Sequence, residues 1–196
     1  MESSNNTFTD ILMKYSSVDT SFGTDKNTSH SYGSVYNMYF SEYKEKAENI
    51  LEIGFDGGYS LLAYNDYFQN AKIYGIDIKN GIRANINGQE RIKFFIGDAL
   101  EKETINKSFP KNTLFNIIIE DGSHDPNHQI QHFRDFSEYV KKGGLYIIED
   151  INGFYFNVIK ESIEKIANEK SFRMIVHDLR GVKGRFDDIL IVLKKI

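Results

Sequence analysis

The chain has 196 residues, 24 Lys and Arg against 28 Asp and Glu, and a net charge of −4, which suits one domain, 1–196, with a full-sized core. Its basic residues are scattered rather than grouped, so a small molecule is the expected partner and a nucleic-acid backbone is not. There is no cysteine, which excludes disulfides, thiolate metal sites and a Cys nucleophile.

The opening MESSNNTFTD lacks the basic and apolar regions of a signal peptide, and no apolar run reaches membrane-spanning length, so no membrane contact and a cytoplasmic location are expected. Phe8, Ile11, Leu12 and Tyr15 fall at helical spacing and predict a helix over 8–17. The polar, turn-rich stretch from Ser21 to Tyr32 reads either as a surface loop or as a lid over a cofactor site. A helix over 34–47 follows, with Val35, Met38, Tyr39 and Tyr43 as its stripe, so residues 1–47 form a helical and lid segment ahead of the sheet.

The first strand, 49–53, runs through Glu52 into the glycine turn Gly54-Phe55-Asp56-Gly57-Gly58 and then a helix, the opening of a nucleotide-binding unit. In the dinucleotide fingerprint the second glycine lets the backbone approach a pyrophosphate, and here that position is Asp56. A carboxylate there suits a phosphate poorly and a sulfonium well, which favours S-adenosylmethionine over NAD. The second strand, 72–76, ends in Asp77, about twenty residues past Gly54, where an acid can take both ribose hydroxyls. The third, 91–96, closes on Asp98, which could accept from an adenine amino group or cap a helix over 100–107.

Two buried strands, 115–119 and 145–148, each end in a pair of acids, Glu120-Asp121 and Glu149-Asp150. The helix between them starts at Asp125-Pro126, shows Ile130, Phe133, Phe136 and Val140 on one face, and is expected to stop at Gly143-Gly144. A strand-helix-strand crossover brings both carboxyl ends to one edge of the sheet, so Asp121, Glu149 and Asp150 can converge. Carboxylates meeting there call for a positive charge, and a cation of the Mg²⁺, Mn²⁺ or Ca²⁺ type would supply it. His124, three residues past Asp121, is placed to act as a base. His128 and His132 have metal-ligand spacing, but the simpler reading puts His128 near the site and His132 on the surface; His30 falls in the lid stretch and His177 on the sheet. A helix over 156–168, with Val158, Ile159, Ile163 and Ile166 on one face, precedes strands 172–177 and 189–193, joined by a loop with Gly181 and Gly184. Two strands without a helix between them form a hairpin, so one runs antiparallel to the rest. The expected class is α/β: a Rossmann-like, seven-stranded, mostly parallel sheet with a C-terminal antiparallel hairpin and helices on both faces.

FGTDKNTSHSYGSVY from Phe22, LEIGFDGGYS from Leu51, YGIDI from Tyr74, GDA from Gly97, DGSHDPNH from Asp121 and GGLYIIEDI from Gly143 resemble, in order, the mycinamicin and macrocin type of sugar O-methyltransferases within the class I S-adenosylmethionine-dependent methyltransferases. That resemblance implies Mg²⁺-assisted methyl transfer from S-adenosyl-L-methionine to a hydroxyl of a sugar, whether a deoxysugar, a glycoside or a nucleotide-sugar. It implies Asp121, Glu149 and Asp150 as metal ligands, His124 as catalytic base, and Glu52, Gly54, Ser60, Asp77 and Asp98 as cofactor positions. Thr24, Lys26 and Tyr32 would belong to a part that closes over the cofactor. A non-sugar diol of the catechol kind is an alternative acceptor and an NAD-dependent oxidoreductase an alternative activity. A homo-oligomer is compatible with all of these.

Overall fold

The apolar runs of the sequence become seven strands of one sheet, the central ones buried on both faces between helices and the edge strands Ile92–Ile96 and Phe172–Asp178 much more exposed. In the computed structural model, which describes residues 6–16, 23–86 and 88–196, these are β1 (Asn49–Ile53), β2 (Lys72–Asp77), β3 (Ile92–Ile96), β4 (Phe115–Glu120), β5 (Val140–Ile148), β6 (Phe172–Asp178) and β7 (Ile189–Lys195). Their order across the sheet is β3-β2-β1-β4-β5-β7-β6. β1 to β5 pair in parallel, and β7 inserts antiparallel to both β5 and β6. The order reverses between β1 and β4, and the crevice outside their carboxyl ends is the place where such sheets bind ligands.

One face carries α1 (Phe8–Lys14), α2 (Gly33–Phe40) and α3 (Tyr59–Tyr67); the other carries α5 (Pro126–Phe136) and α6 (Phe156–Glu169). Helix α4 (Lys102–Ser108) precedes β4, and α7 (Arg180–Lys183) sits in the β6–β7 loop. Thr7 and Asp10 form a reciprocal capping box that fixes the start of α1. Phe8 is fully buried there, ringed by Tyr36, Phe40, Tyr64 and Tyr67 at centroid distances of 4.9–5.6 Å. The N-terminal segment is thus anchored to the sheet by an aromatic cluster.

Several expectations shift. Ser17 of the predicted first helix, and Ser21 and Phe22 of the predicted lid, lie outside the described residues. The helix expected over 34–47 is α2 followed by a 3₁₀ turn, Ser41–Tyr43, and its buried stripe is Val35, Tyr36 and Phe40; Met38 faces solvent. Gly143-Gly144 does not end α5, which gives way after Phe136 to a 3₁₀ turn, Ser137–Tyr139. The glycine pair lies inside β5 instead, where Gly143 has φ +76° and the β4–β5 register shifts between Phe115 and Ile117. Val140 accordingly packs as the first strand residue. A Cβ on Gly144 would come 2.8 Å from the Asn116 carbonyl, so the second glycine serves close strand approach. On α6 the buried residues are Ile159, Ile163, Ile166 and Ala167, with Val158 exposed.

Candidate active site

Five strand ends build the site. Gly54, at φ +84°, follows β1 so closely against β4 that a Cβ would lie 2.1 Å from the Asp121 carbonyl oxygen, and only glycine fits. The Asp121 N–H donates to the Ile53 carbonyl (2.8 Å), and the Glu149 N–H to the Glu120 carbonyl (3.0 Å), so the acid-bearing ends of β4 and β5 continue the sheet's ladder. Three other rim residues, Asp56, His124 and Asp150, take left-handed φ values of 38°, 57° and 52°. Such backbone costs of order 1–3 kcal/mol per residue and persists where surrounding structure imposes it.

These ends line a cleft of about 570 Å³ that runs from Asp77 and Asp98 past Gly54 to Asp121, His124 and Asp150. His124 Nε2 is 3.2 Å from Asp121 Oδ1 and 3.5 Å from Asp150 Oδ2. Asp121, His124 and Asp150 can each offer one ligand atom within 4.8 Å of the others. The two carboxylates are hard oxygen donors that fit a divalent cation of the Mg²⁺ or Mn²⁺ kind, with the imidazole beside them. The electrostatics fit too. Burial, reinforced by Asp121 and Glu149, pushes Asp150 up to about 8, and burial pushes Glu149 up to about 7. Burial lowers His124, but its bond to Asp121 and the charges of Asp121 and Asp150 outweigh that and raise it to about 9. The cluster holds protons where a cation would replace them.

Glu149 is turned inward. Both its oxygens accept from the Lys26 ammonium (2.9 and 2.8 Å), and the Tyr36 hydroxyl donates to it as well. Gln129, on α5, donates to its carbonyl (2.8 Å).

No family model matches the chain. It is 28% identical over 141 residues to 8-demethyl-8-alpha-L-rhamnosyl tetracenomycin-C 2'-O-methyltransferase of Streptomyces olivaceus, covering 68% of this chain and 36% of that protein. It is 32% identical over 129 residues to demethylmacrocin O-methyltransferase of Streptomyces fradiae, covering 62% and 32%. The MycE methyltransferase of the mycinamycin biosynthetic pathway, solved in complex with Mg and SAH, superposes with a TM-score of 0.75 at 22% identity over 97% of this chain and 55% of that one. The chain has the class I methyltransferase fold. It resembles these sugar O-methyltransferases in sequence and spans about a third of the length of the curated relatives it matches.

Within the methyltransferase fold, the remaining predicted residues are distributed as follows. Asp77 lines the cleft, but Oδ2 accepts from the Phe55 and Asp56 N–H groups (3.0 and 2.9 Å) and Oδ1 from Lys79 (2.9 Å), so it braces the glycine turn while keeping acceptor capacity for a ligand. Asp98 is not a helix cap: α4 starts at Lys102 with Glu101 before it, and Asp98 Oδ1 instead takes the Leu100 N–H (2.9 Å) at the cleft wall. Ser60 lines the cleft and donates to Glu52, which is fully buried and also accepts from Tyr64 (3.2 Å). Thr24 lines the cleft as well. Tyr32 lies behind Asp150, to which its hydroxyl donates. The expected surface position of His132 is wrong: it is 5% exposed, its Nδ1 lies 3.0 Å from Glu120 Oε1, and with His128 it lines the cleft. Glu120 at the end of β4 needs that partner once buried.

Three contributors were not singled out from sequence, and a fourth, His30, was placed only in the lid stretch. Tyr36 meets Glu149, His30 Nδ1 lies 3.2 Å from Asp150 and 3.4 Å from Asp188, Arg83 pairs with Asp56, and Lys183 reaches the carbonyls of Asn27 (3.0 Å), Thr28 (2.8 Å) and His30. Tyr32 and Tyr36 stand four residues apart, which places both hydroxyls on one helix face; that spacing was the available signal. Arg83 sits in a loop and Lys183 at the end of the four-residue α7, and neither carries such periodicity.

Proposed function

We propose that the chain is the catalytic unit of an S-adenosylmethionine-dependent O-methyltransferase that uses Mg²⁺ to methylate a sugar hydroxyl, on a deoxysugar, a glycoside or a nucleotide-sugar. The observation that carries this is the meeting of Asp121, His124 and Asp150 at one end of a cleft whose other end holds Asp77. The sequence likeness to two sugar O-methyltransferases supports the acceptor class.

When bound, S-adenosylmethionine supplies an activated methyl group and a divalent cation lowers the pKa of a hydroxyl beside it. Asp121 and Asp150 would hold the cation, with Glu149 paired to Lys26 behind them. Asp77 would receive ribose hydroxyls, and Gly54 lets the ends of β1 and β4 close together beneath the cofactor's place in the cleft. His124, with Nε2 beside Asp121 and Asp150, would take the proton of the acceptor hydroxyl. Walls from Thr24 and Lys26 on one side and Gly122 and Ser123 on the other keep the reacting atoms aligned. The acceptor is a small molecule rather than a nucleic acid, the setting is the cytoplasm, and a homo-oligomer is compatible with the site.

The test is methyl transfer from S-adenosylmethionine to a panel of rhamnosides, other glycosides, nucleotide-sugars and catechols, read by mass spectrometry. Methylation of a sugar hydroxyl that stops in EDTA and returns with Mg²⁺ is expected. Full activity in EDTA, or methylation of catechols alone, would overturn the metal or the acceptor reading respectively.

A further inference from the structure

The Lys26 ammonium is 2% exposed and lies among carboxylates from three strand ends: Asp121 Oδ2 at 2.6 Å, Glu149 Oε2 at 2.8 Å and Oε1 at 2.9 Å, and Glu52 Oε1 at 3.2 Å. An ammonium has three N–H donors, and three carboxylates use them. Burial alone would push Lys26 down, but Asp121 and Glu149 outweigh it and hold it well above the usual lysine range. Two of its partners, Asp121 and Glu149, are acids that a divalent cation at this site would also recruit. Asp150, the third, has no lysine and is met by Tyr32 and His30.

Lys26 does not belong to the sheet. It sits on the segment 24–32, which is tied to the rest of the chain by the Thr24 N–H on the Tyr15 carbonyl (3.0 Å), the Ser31 N–H on Asp188 Oδ1 (3.1 Å), the Tyr32 hydroxyl on Asp150 and the Lys183 ammonium on three of its carbonyls. The carboxylates stay with their strands if this segment moves, whereas the ammonium leaves with it.

We infer that Lys26 competes with a divalent cation for Asp121 and Glu149, and thereby sets how tightly the acid cluster holds that ion; this rests on the metal-dependent reading above. A purely structural lysine, holding Asp121 in register, would have the opposite sign: its removal would weaken the ion's site. Competition requires that removal tighten it, because a unit positive charge a few ångströms away is withdrawn and two carboxylates are released.

The experiment is calorimetric titration of Mn²⁺ and Mg²⁺, without cofactor, at pH 8 into the wild-type protein, Lys26→Met and Lys26→Arg, with folding checked by circular dichroism. Lys26→Met should bind roughly tenfold tighter or more, and Lys26→Arg should stay within a few-fold of wild type. Equal or weaker binding by Lys26→Met overturns the competition while leaving the metal reading intact. Failure of both wild type and Lys26→Met to take up either ion overturns the metal reading itself. Should Lys26→Met not fold, the wild-type chain gives the same answer through acetic anhydride labelling of Lys26, read by peptide mass spectrometry. Saturating Mn²⁺ should raise that labelling several-fold, and unchanged or reduced labelling would refute the competition.

Discussion

His124, between Asp121 and Asp150, must be free of its proton to act as a base, yet those two acids hold it protonated to about pH 9. A cation held by the same acids would remove that attraction and free the base. In proton NMR of the metal-free protein, His124 should titrate near 9 and move well below that when Mg²⁺ saturates; no movement would separate the base from the metal. His124→Ala should lose about 10²–10⁴ in turnover, the usual share of general-base help, and retain affinity for S-adenosylhomocysteine. Loss of cofactor affinity in that variant would assign His124 to binding instead.

Helix α1 is short, yet it governs the cofactor side of the cleft. Phe8 packs it into the aromatic cluster, and the Tyr15 carbonyl at its end anchors Thr24. Phe8→Ala should cost about 3–5 kcal/mol in urea denaturation, as for other buried aromatic truncations, and should weaken S-adenosylhomocysteine binding through the loosened 24–32 segment. A change below 1 kcal/mol would mean that α1 is dispensable to the core. Elements of this kind were legible in the sequence where periodicity and a boundary signal agreed. The seven strands, the β4–α5–β5 crossover and the acids at its ends follow from buried runs, Asp125-Pro126 and the crossover rule. The stop at Gly143-Gly144 was misread because a glycine pair after a helix serves equally as a bulge in the next strand, and only the Asn116 carbonyl decides which. The carboxylate convergence was legible, but its positive partner was expected to be an ion alone. That Lys26 already stands there depends on how a polar segment folds back over the sheet, about which local spacing is silent.

At the scale of the whole molecule, the cleft gathers more acids than its one buried lysine can neutralise. Glu149 and Asp150 are raised to about 7 and about 8 and His124 to about 9, so folding favours their protonated forms. A group with a raised folded value stabilises the protein below its unfolded value and loses that contribution as pH climbs through the folded one. Asp121, lowered by Lys26 against the effect of burial, runs the other way and adds stability above the ordinary carboxylate range. That gain is complete well below pH 6, so between pH 6 and pH 9 Glu149, Asp150 and His124 set the sign within the cleft. The metal-free protein should melt at progressively lower temperature from pH 6 to pH 9, and Mg²⁺ should raise the melting temperature more at pH 8 than at pH 6. A Mg²⁺ effect independent of pH would remove the acid cluster from metal binding. The central claim is that this cleft holds S-adenosylmethionine, and calorimetric titration with S-adenosylhomocysteine, beside NAD and an Asp77→Ala variant, tests it most directly. Saturable binding of S-adenosylhomocysteine that weakens at least tenfold in Asp77→Ala, with no heat from NAD, is the expected result; binding of NAD in its place would contradict it.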